Sequence, residues 1–262
     1  MADGMSFDKY IDNPSGKATV VTNRKAIKEM YKSKFDKILL RESGRISYTI
    51  YRSKDKNDSY YIHIKVPSEV IEEFYYDVVI QLYTTENKKK LNANLREYAV
   101  KFYSNDPAFV YTFAHSFAAN NLFIKDLQQK MSTTALKKPA LIKNPKDDVW
   151  YVKSLFFAYL TMEKYNLFSR SMLDRNSIPY SKRTLLSKIT HASEKVEARQ
   201  NAQAKLAAAN KESKTKAQQR NVGVQAKHSP SSNIVKTATT TRTSRKSNRV
   251  KTTKKISINK KS

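Results

Sequence analysis

Cysteine is absent from this 262-residue chain, which removes disulfides, thiolate metal sites and cysteine nucleophiles together and sets the expectation of an intracellular origin. Glycine is nearly as scarce. Only Gly4, Gly16, Gly44 and Gly223 occur, against several times more at the average usage of about 7%. A phosphate-cradling loop or a dinucleotide-binding turn needs glycines so that consecutive backbone N–H groups can converge on oxygen. Gly16-Lys17 is followed by Ala18 and has no glycine five residues upstream, so neither loop is present. No apolar run approaches the roughly 18 residues of a transmembrane helix, and MADGMSFDKYIDNPSG lacks the basic-then-apolar order of a secretory signal. The expectation is a soluble protein or part of a soluble assembly, with no membrane partner.

Acidic residues are also in short supply, 23 against 50 Lys and Arg, for a formal net charge of +27. Lys211 to Ser262 carry 15 Lys and Arg against the single acid Glu212, or +14, which leaves +13 to residues 1 to 210. Both parts attract polyanions: nucleic acid, an acidic protein or an anionic surface.

Chemistry-bearing clusters are few. His63, His115, His191 and His228 are widely spaced, with no pair at metal-ligand spacing. Of the carboxylate pairs, Glu72-Glu73 and Asp147-Asp148, neighbours in sequence do not share a helical face. The second pair suits a helix start, where the macrodipole favours negative charge. A metal-dependent nuclease site is the competing reading of the same residues. The chain is expected to be no enzyme and to hold no metal and no cofactor.

What is present in strength is hydrophobic periodicity. In LREYAVKFYSNDPAFVYTFAHSFAANNLFIKDL, Tyr98, Val100 and Phe102 alternate as in a strand with one buried face. Asp106-Pro107 then suits a helix start, because the carboxylate accepts from an orphan N–H and proline has none to lose. Phe109, Phe113 and Phe117 recur every four residues as a core stripe; the alternative is a stacking platform for bases. Upstream, Ile27, Met30, Tyr31 and Phe35 predict a helix, Lys37 to Arg41 a strand, Glu42-Ser43-Gly44 a turn, and Arg45 to Tyr51 and Tyr60 to Val66 two more strands. Ser68 is placed to cap a short helix over EVIEEF, and YYDVVIQLY reads as a central strand. Glu86 to Lys90 reads as a loop.

Further on, Val149, Val152, Leu155, Phe156, Tyr159, Met162 and Tyr165 predict a long helix. Asp174 to Ser181, with Pro179, breaks the pattern. A third long helix is expected from Lys182 to Asn210, its second half favouring helix by propensity while offering little to bury, so that it should extend outward or pack on a partner. Residues 211 to 262 contain no Phe, Tyr or Trp and should be disordered in isolation. Within them Arg242, Arg245, Lys246, Arg249, Lys251, Lys254 and Lys255 form a cluster suited to neutralising phosphates without sequence readout.

The fold expected is therefore α+β: a mostly antiparallel sheet from about Lys37 to Tyr103, covered by helices starting near Asn23, Pro107 and Asp148, then a long helix and a disordered basic tail. The expected organisation is an extended arm over 1–20, a body over 21–175, a helical extension over 176–210 and the tail over 211–262. FYYDVVIQLYTTEN, EYAVKFYSNDPAFVYTFAHSF, ALIKNP and WYVKSLFFAYL together resemble virion structural proteins of tailed bacteriophages with AT-rich genomes, over about residues 66 to 168. That resemblance implies a non-enzymatic subunit at the neck, the head-to-tail connection or the inner face of the capsid. It would be a homo-oligomer meeting other virion proteins and packaged DNA, and be found in the virion and, during assembly, in the host cytoplasm. The rival expectation is a stand-alone, sequence-independent nucleic-acid-binding protein.

Overall fold

A computed structural model describes residues 4–12, 21–53, 59–84 and 94–225. The chain divides into two compact units, Met1–Glu212 and Ser213–Ser262. The elements in chain order are α1 (Phe7–Asp12), α2 (Val21–Arg41), β1 (Tyr48–Ser53), β2 (Ser59–Pro67), β3 (Tyr75–Tyr83) and β4 (Ala99–Ser104). They continue with α3 (Ala114–Ala119), α4 (Thr133–Lys137), α5 (Lys153–Lys164), α6 (Arg170–Asn176), β5 (Ser177–Pro179), α7 (Lys182–Lys188) and α8 (Ala192–Gln225). The fold is α+β, as the periodicity predicts. Its sheet runs β4-β3-β2-β1-β5 and is antiparallel except where β5 lies parallel to β1. The expected loop over Glu86 to Lys90 and the tail beyond Gln225 lie outside the described residues.

Strand alternation sorts the side chains onto two faces. Ile50, Ile62, Ile80 and Phe102 stand in register across one of them, and α5 covers it, with Ser154 Oγ 3.2 Å from Ser104 Oγ. Tyr51, Tyr61, Gln81 and Lys101 form a row on the other. There Tyr180 stacks on Tyr61 at 4.2 Å, and Asp126 accepts from both hydroxyls, at 2.7 and 3.3 Å. β4 is thus buried on both faces rather than one, with Lys101 the half-exposed exception. Burial, and then repulsion from Lys125, pushes the Lys101 ammonium below its ordinary range.

Several expectations need correction, each because a tertiary partner takes over. Lys37 to Arg41 is the end of α2, not a strand: Phe35 and Ile38, three apart, are both buried, so the helical stripe carries on, while Met30 is 45% exposed. The expected turn does follow. Gly44 sits at φ +74, and its N–H reaches back to the Leu39 carbonyl at 2.7 Å, closing the helix as a Schellman motif. A Cβ at Gly44 would meet nothing within 4 Å. Gly44→Ala is accordingly expected to cost only the left-handed backbone term, about 1–2 kcal/mol, readable as a shifted denaturation midpoint with unchanged slope.

Residues 1–20 are not simply an extended arm. Phe7, Tyr10 and Ile11 of α1 are buried, and the segment before it pairs with the free side of β4, Val100 N–H donating to Met5 O at 2.8 Å. Gly4 is required there, since a Cβ would lie 2.5 Å from that of Ala99. The second half of that side is taken by Phe102 N–H donating to Leu122 O at 2.7 Å, so β4 offers no bare edge.

The predicted helix near Asp148 begins only at Lys153. Val149 to Val152 stay non-helical because Tyr10 and Tyr151 satisfy their backbone and that of α1: Tyr10 Oη donates to Trp150 O at 3.0 Å, Val152 N–H donates to Tyr10 Oη at 3.1 Å, and Tyr151 Oη donates to Ile11 O at 3.1 Å. Ser68 Oγ does accept from Ile71 N–H at 3.3 Å, but EVIEEF forms a turn, not a helix. Asp174 to Ser181 contributes β5, whose place at the sheet edge tolerates Pro179. The expected boundary after residue 175 therefore falls inside the body, and Leu185, Ile189 and Ala192 belong to its core.

Asp106 caps its helix as predicted, Oδ1 accepting from Ala108 N–H at 3.0 Å. The aromatic stripe that follows is widened by one π-type turn over Phe109–Phe113. Phe109 and Phe117 are buried with ring centroids 5.1 Å apart, whereas Phe113 is only half buried. The stripe is core and presents no platform for bases.

Candidate interaction site

The residues that the sequence picks out for polyanion contact, Arg242, Arg245, Lys246, Arg249, Lys251, Lys254 and Lys255, all lie outside the described residues. What the structure does describe is the basic helix that precedes them in the chain and the way its first turn is fixed to the body.

That fixing point starts from an oddity of sequence: Asp77 stands alone in the apolar strand YYDVVIQLY and is fully buried. A buried carboxylate requires partners, and four converge on it. Oδ1 takes His63 Nε2 at 2.8 Å and the Lys65 ammonium at 2.5 Å, both from β2. Oδ2 takes Asn105 Nδ2 at 2.9 Å and Thr190 N–H at 3.1 Å. Asn105 also returns its Oδ1 to Asp77 N–H at 2.8 Å and gives a second hydrogen bond to Thr190 O at 3.2 Å. Burial alone would raise the Asp77 carboxyl. The hydrogen bonds and charges of His63 and Lys65 outweigh it and hold the group well below the usual carboxylate range.

Thr190 therefore spends both its backbone groups on the sheet, and the single long helix expected from Lys182 is split there into α7 and α8. His191 opens α8, its Nδ1 accepting from Ser193 N–H at 3.2 Å. One turn later the Lys195 ammonium lies 4.4 Å over the Phe74 ring, and burial lowers its pKa despite the attraction of Asp77. Beyond this anchor every side chain from Gln203 to Lys214 is exposed, including Leu206 at 43%. As expected, this half of the helix buries almost nothing.

Of the remaining candidates, His228 lies outside the described residues, Glu72 and Glu73 are exposed, and His115 and Asp147 serve the structure. His115 pairs with Asp147 at 2.6 Å, and Asp147, at φ +47, lies well before α5 instead of starting it. Among the described residues no three His, Cys, Asp or Glu side chains converge as a metal set. Glu69 joins α2 to α5 through Lys34 and Lys153, at 2.9 and 2.8 Å; those hydrogen bonds lower its pKa against the effect of burial. An open crease of about 690 Å³ runs beside the start of α8, lined by Lys125, Asp126, Gln128, Lys182, His191 and Ser193 among others. It is wide open, a junction between elements and not an enclosed pocket. No helix of the described residues is long and apolar enough to cross a membrane.

No protein-family model matches this chain, and neither the curated proteins nor the solved structures contain a match to it.

Proposed function

We propose that this protein is a non-enzymatic structural or assembly protein of a bacteriophage particle, at the neck or head-to-tail connection, whose basic C-terminal region contacts DNA or neighbouring subunits. The observation that carries this reading is the contrast within unit 1. The Asp77 cluster, the Glu69 bridge and the His115–Asp147 pair hold the body's own elements together, while α8, pinned by the Asp77 cluster, leaves its side chains exposed from Gln203 to Lys214. A rooted helix, exposed from Gln203 to Lys214, that runs into the +14 stretch of Lys211 to Ser262 is built for contact and not for turnover. The setting in a particle comes from the resemblance over residues 66 to 168.

Mass spectrometry of purified particles from the source phage tests it. The expected result is detection at a copy number, relative to the major capsid protein, that matches a ring or shell. Absence from particles of a protein abundant in infected cells would overturn it. The charge of Lys211 to Ser262 favours a second reading, a free nucleic-acid-binding protein. That reading expects log affinity for duplex DNA to fall steeply with log salt, and deletion of residues 211–262 to reduce the slope by roughly 0.9 for each phosphate that is no longer neutralised.

A further inference from the structure

Positive charge is not spread evenly over the body. Residues 107–146 hold six lysines and residues 177–193 hold Lys182, Arg183 and Lys188, and in the two stretches together the only acid is Asp126. The fold brings these stretches to one place. The open crease beside the start of α8 takes Lys125, Gln128 and Ser132 from the first and Lys182, His191 and Ser193 from the second. Eight of the nine basic side chains are exposed, Lys130 being half-buried. Among the described residues only Lys182 has a carboxylate in ion-pair range, Asp126 at 3.8 Å. That carboxylate is itself held inward, its other oxygen accepting from Tyr61 and Tyr180.

The excess survives a count of the neighbours. Asp147, Asp148, Glu194 and Glu197 border this surface, and with Asp126 they make five acids against the nine Lys and Arg. Asp147 is already paired with His115, and Lys195 and Arg199 follow the two glutamates along α8. Asp174, at the sheet edge, is matched by Arg52 and Arg170. Lys101 adds a further positive charge close to Lys125. On α2, which is also basic, the lysines are instead paired: Lys25 with Glu29 at 4.0 Å, Lys28 with Asp12 at 2.8 Å and Lys34 with Glu69 at 2.9 Å.

We infer that this crease is a nucleic-acid contact of the body, separate from the basic C-terminal region, and that it seats the phosphate backbone of a duplex. The neutral groups beside its lysines fit phosphate and sugar oxygens. Gln128, Gln129, Ser132 and Thr133 all bring side-chain donors to it. His191 Nδ1 accepts from Ser193 N–H at 3.2 Å, so the ring proton sits on Nε2 and that nitrogen donates. Hydrogen bonds of this kind position a backbone without reading its sequence. Among the described residues no aromatic side chain lines the crease, so unstacked bases would gain nothing there, which favours a duplex over a single strand. A bilayer surface is too flat to enter it. Its one large apolar lining residue, Met131, is 2% exposed, which leaves an acidic protein no apolar surface to bury. The inference deepens the contact reading above by naming the partner of the body, and rests on that reading only for a place in a particle.

Fluorescence anisotropy of the full chain with short labelled duplexes of DNA and of RNA, titrated across salt, tests it. K125Q/K182Q is expected to reduce the slope of log affinity against log salt by about 1.8, at about 0.9 for each lost phosphate contact, which at 0.1 M salt is roughly a sixtyfold loss of affinity. K25Q/K32Q, which removes two exposed lysines of α2, should leave the slope as in wild type. Tighter binding of the DNA duplex assigns the backbone to DNA and tighter binding of the RNA duplex to RNA; either result upholds the site. Acetylation footprinting of wild type gives a readout independent of how the variants fold: saturating duplex should shield Lys125 and Lys182 from an N-hydroxysuccinimide ester and leave Lys25 and Lys32 reactive. A wild type that binds no duplex, a slope unchanged by K125Q/K182Q, or Lys125 and Lys182 that stay reactive under duplex would overturn the crease. So would shielding of those lysines by phosphatidylglycerol vesicles or polyglutamate and not by duplex. A protein found in particles whose duplex affinity ignores K125Q/K182Q sinks the crease alone; one that binds duplex through the crease yet is absent from particles sinks the particle reading alone.

Discussion

Asp77→Ala should lower the stability of the body by about 3–5 kcal/mol, the usual cost of removing one partner from a buried charge cluster. For a domain of this size that is a fall in melting temperature on the order of 10 °C. All four side-chain and backbone groups that meet the Asp77 carboxylate from other residues are donors: His63, Lys65, Asn105 and Thr190. Asp77→Asn should therefore rescue little, because whichever way its amide is turned, one NH2 group faces donors. The pH dependence has a definite sign. A carboxyl whose folded pKa is depressed binds its proton more weakly in the folded state, so its stabilisation is fully present above the ordinary Asp range, near pH 4, and is lost as pH falls below it. The gap in unfolding free energy between wild type and Asp77→Ala should be constant from neutrality down to about pH 5 and shrink below about pH 4. Equilibrium unfolding followed across that range checks both claims. Hydrogen exchange adds a local readout: amides at the α7–α8 joint should lose protection in the variant. Unchanged protection there would mean that the cluster stabilises the sheet without fixing the helix.

Phe7→Ala should cost a similar amount, about 3–5 kcal/mol. The Phe7 ring is fully buried, 5.1 Å from those of both Phe102 and Tyr159. A frayed terminus would predict a change within about 0.5 kcal/mol, so the two descriptions of this segment differ widely in outcome. Trp150, the one tryptophan of the chain, accepts the Tyr10 hydroxyl at its carbonyl and gives an optical probe. If α1 holds the 149–152 segment in place, Phe7→Ala should change Trp150 fluorescence before global unfolding. The anchor is further buttressed by Arg96, whose guanidinium lies 4.4 Å over the Phe168 ring and donates to Asp8 at 3.1 Å and Glu163 at 3.0 Å.

Much of the fold is legible in short-range pattern. The alternation of Tyr60 to Val66 marks β2 as a strand, and the β-branched density of Val78 to Ile80 places β3 inside the sheet, because a strand buried on both sides is apolar along most of its length. Asp106-Pro107 marks a helix start by local chemistry alone, and Glu42-Ser43-Gly44 marks a turn in the same way, although the segment it closes is the end of α2 and not the strand read there. For the candidate site, composition exposes the basic character of the C-terminal region, and the weak apolar content of EARQNAQAKLAAAN foretells an exposed helix. The seven basic residues named from sequence lie beyond the described part of the chain. The Asp77 anchor escapes a reading by pattern, although one signal points to it: a lone acid inside a central strand, opposite Lys65, must have buried donors somewhere.

Local sequence settled the alternation of elements, the α+β class and the helix termini whose capping groups lie within a few residues of each other, since those energies depend on neighbours along the chain. Tertiary contact alone decided the rest. It docked α1, held Val149 to Val152 out of α5, added β5 to the sheet edge and divided α7 from α8. In each case a backbone or side-chain polar group finds its partner scores of residues away, as Tyr10 does at Val152 and Thr190 at Asp77, and a buried polar group must be satisfied wherever its partner lies in the chain.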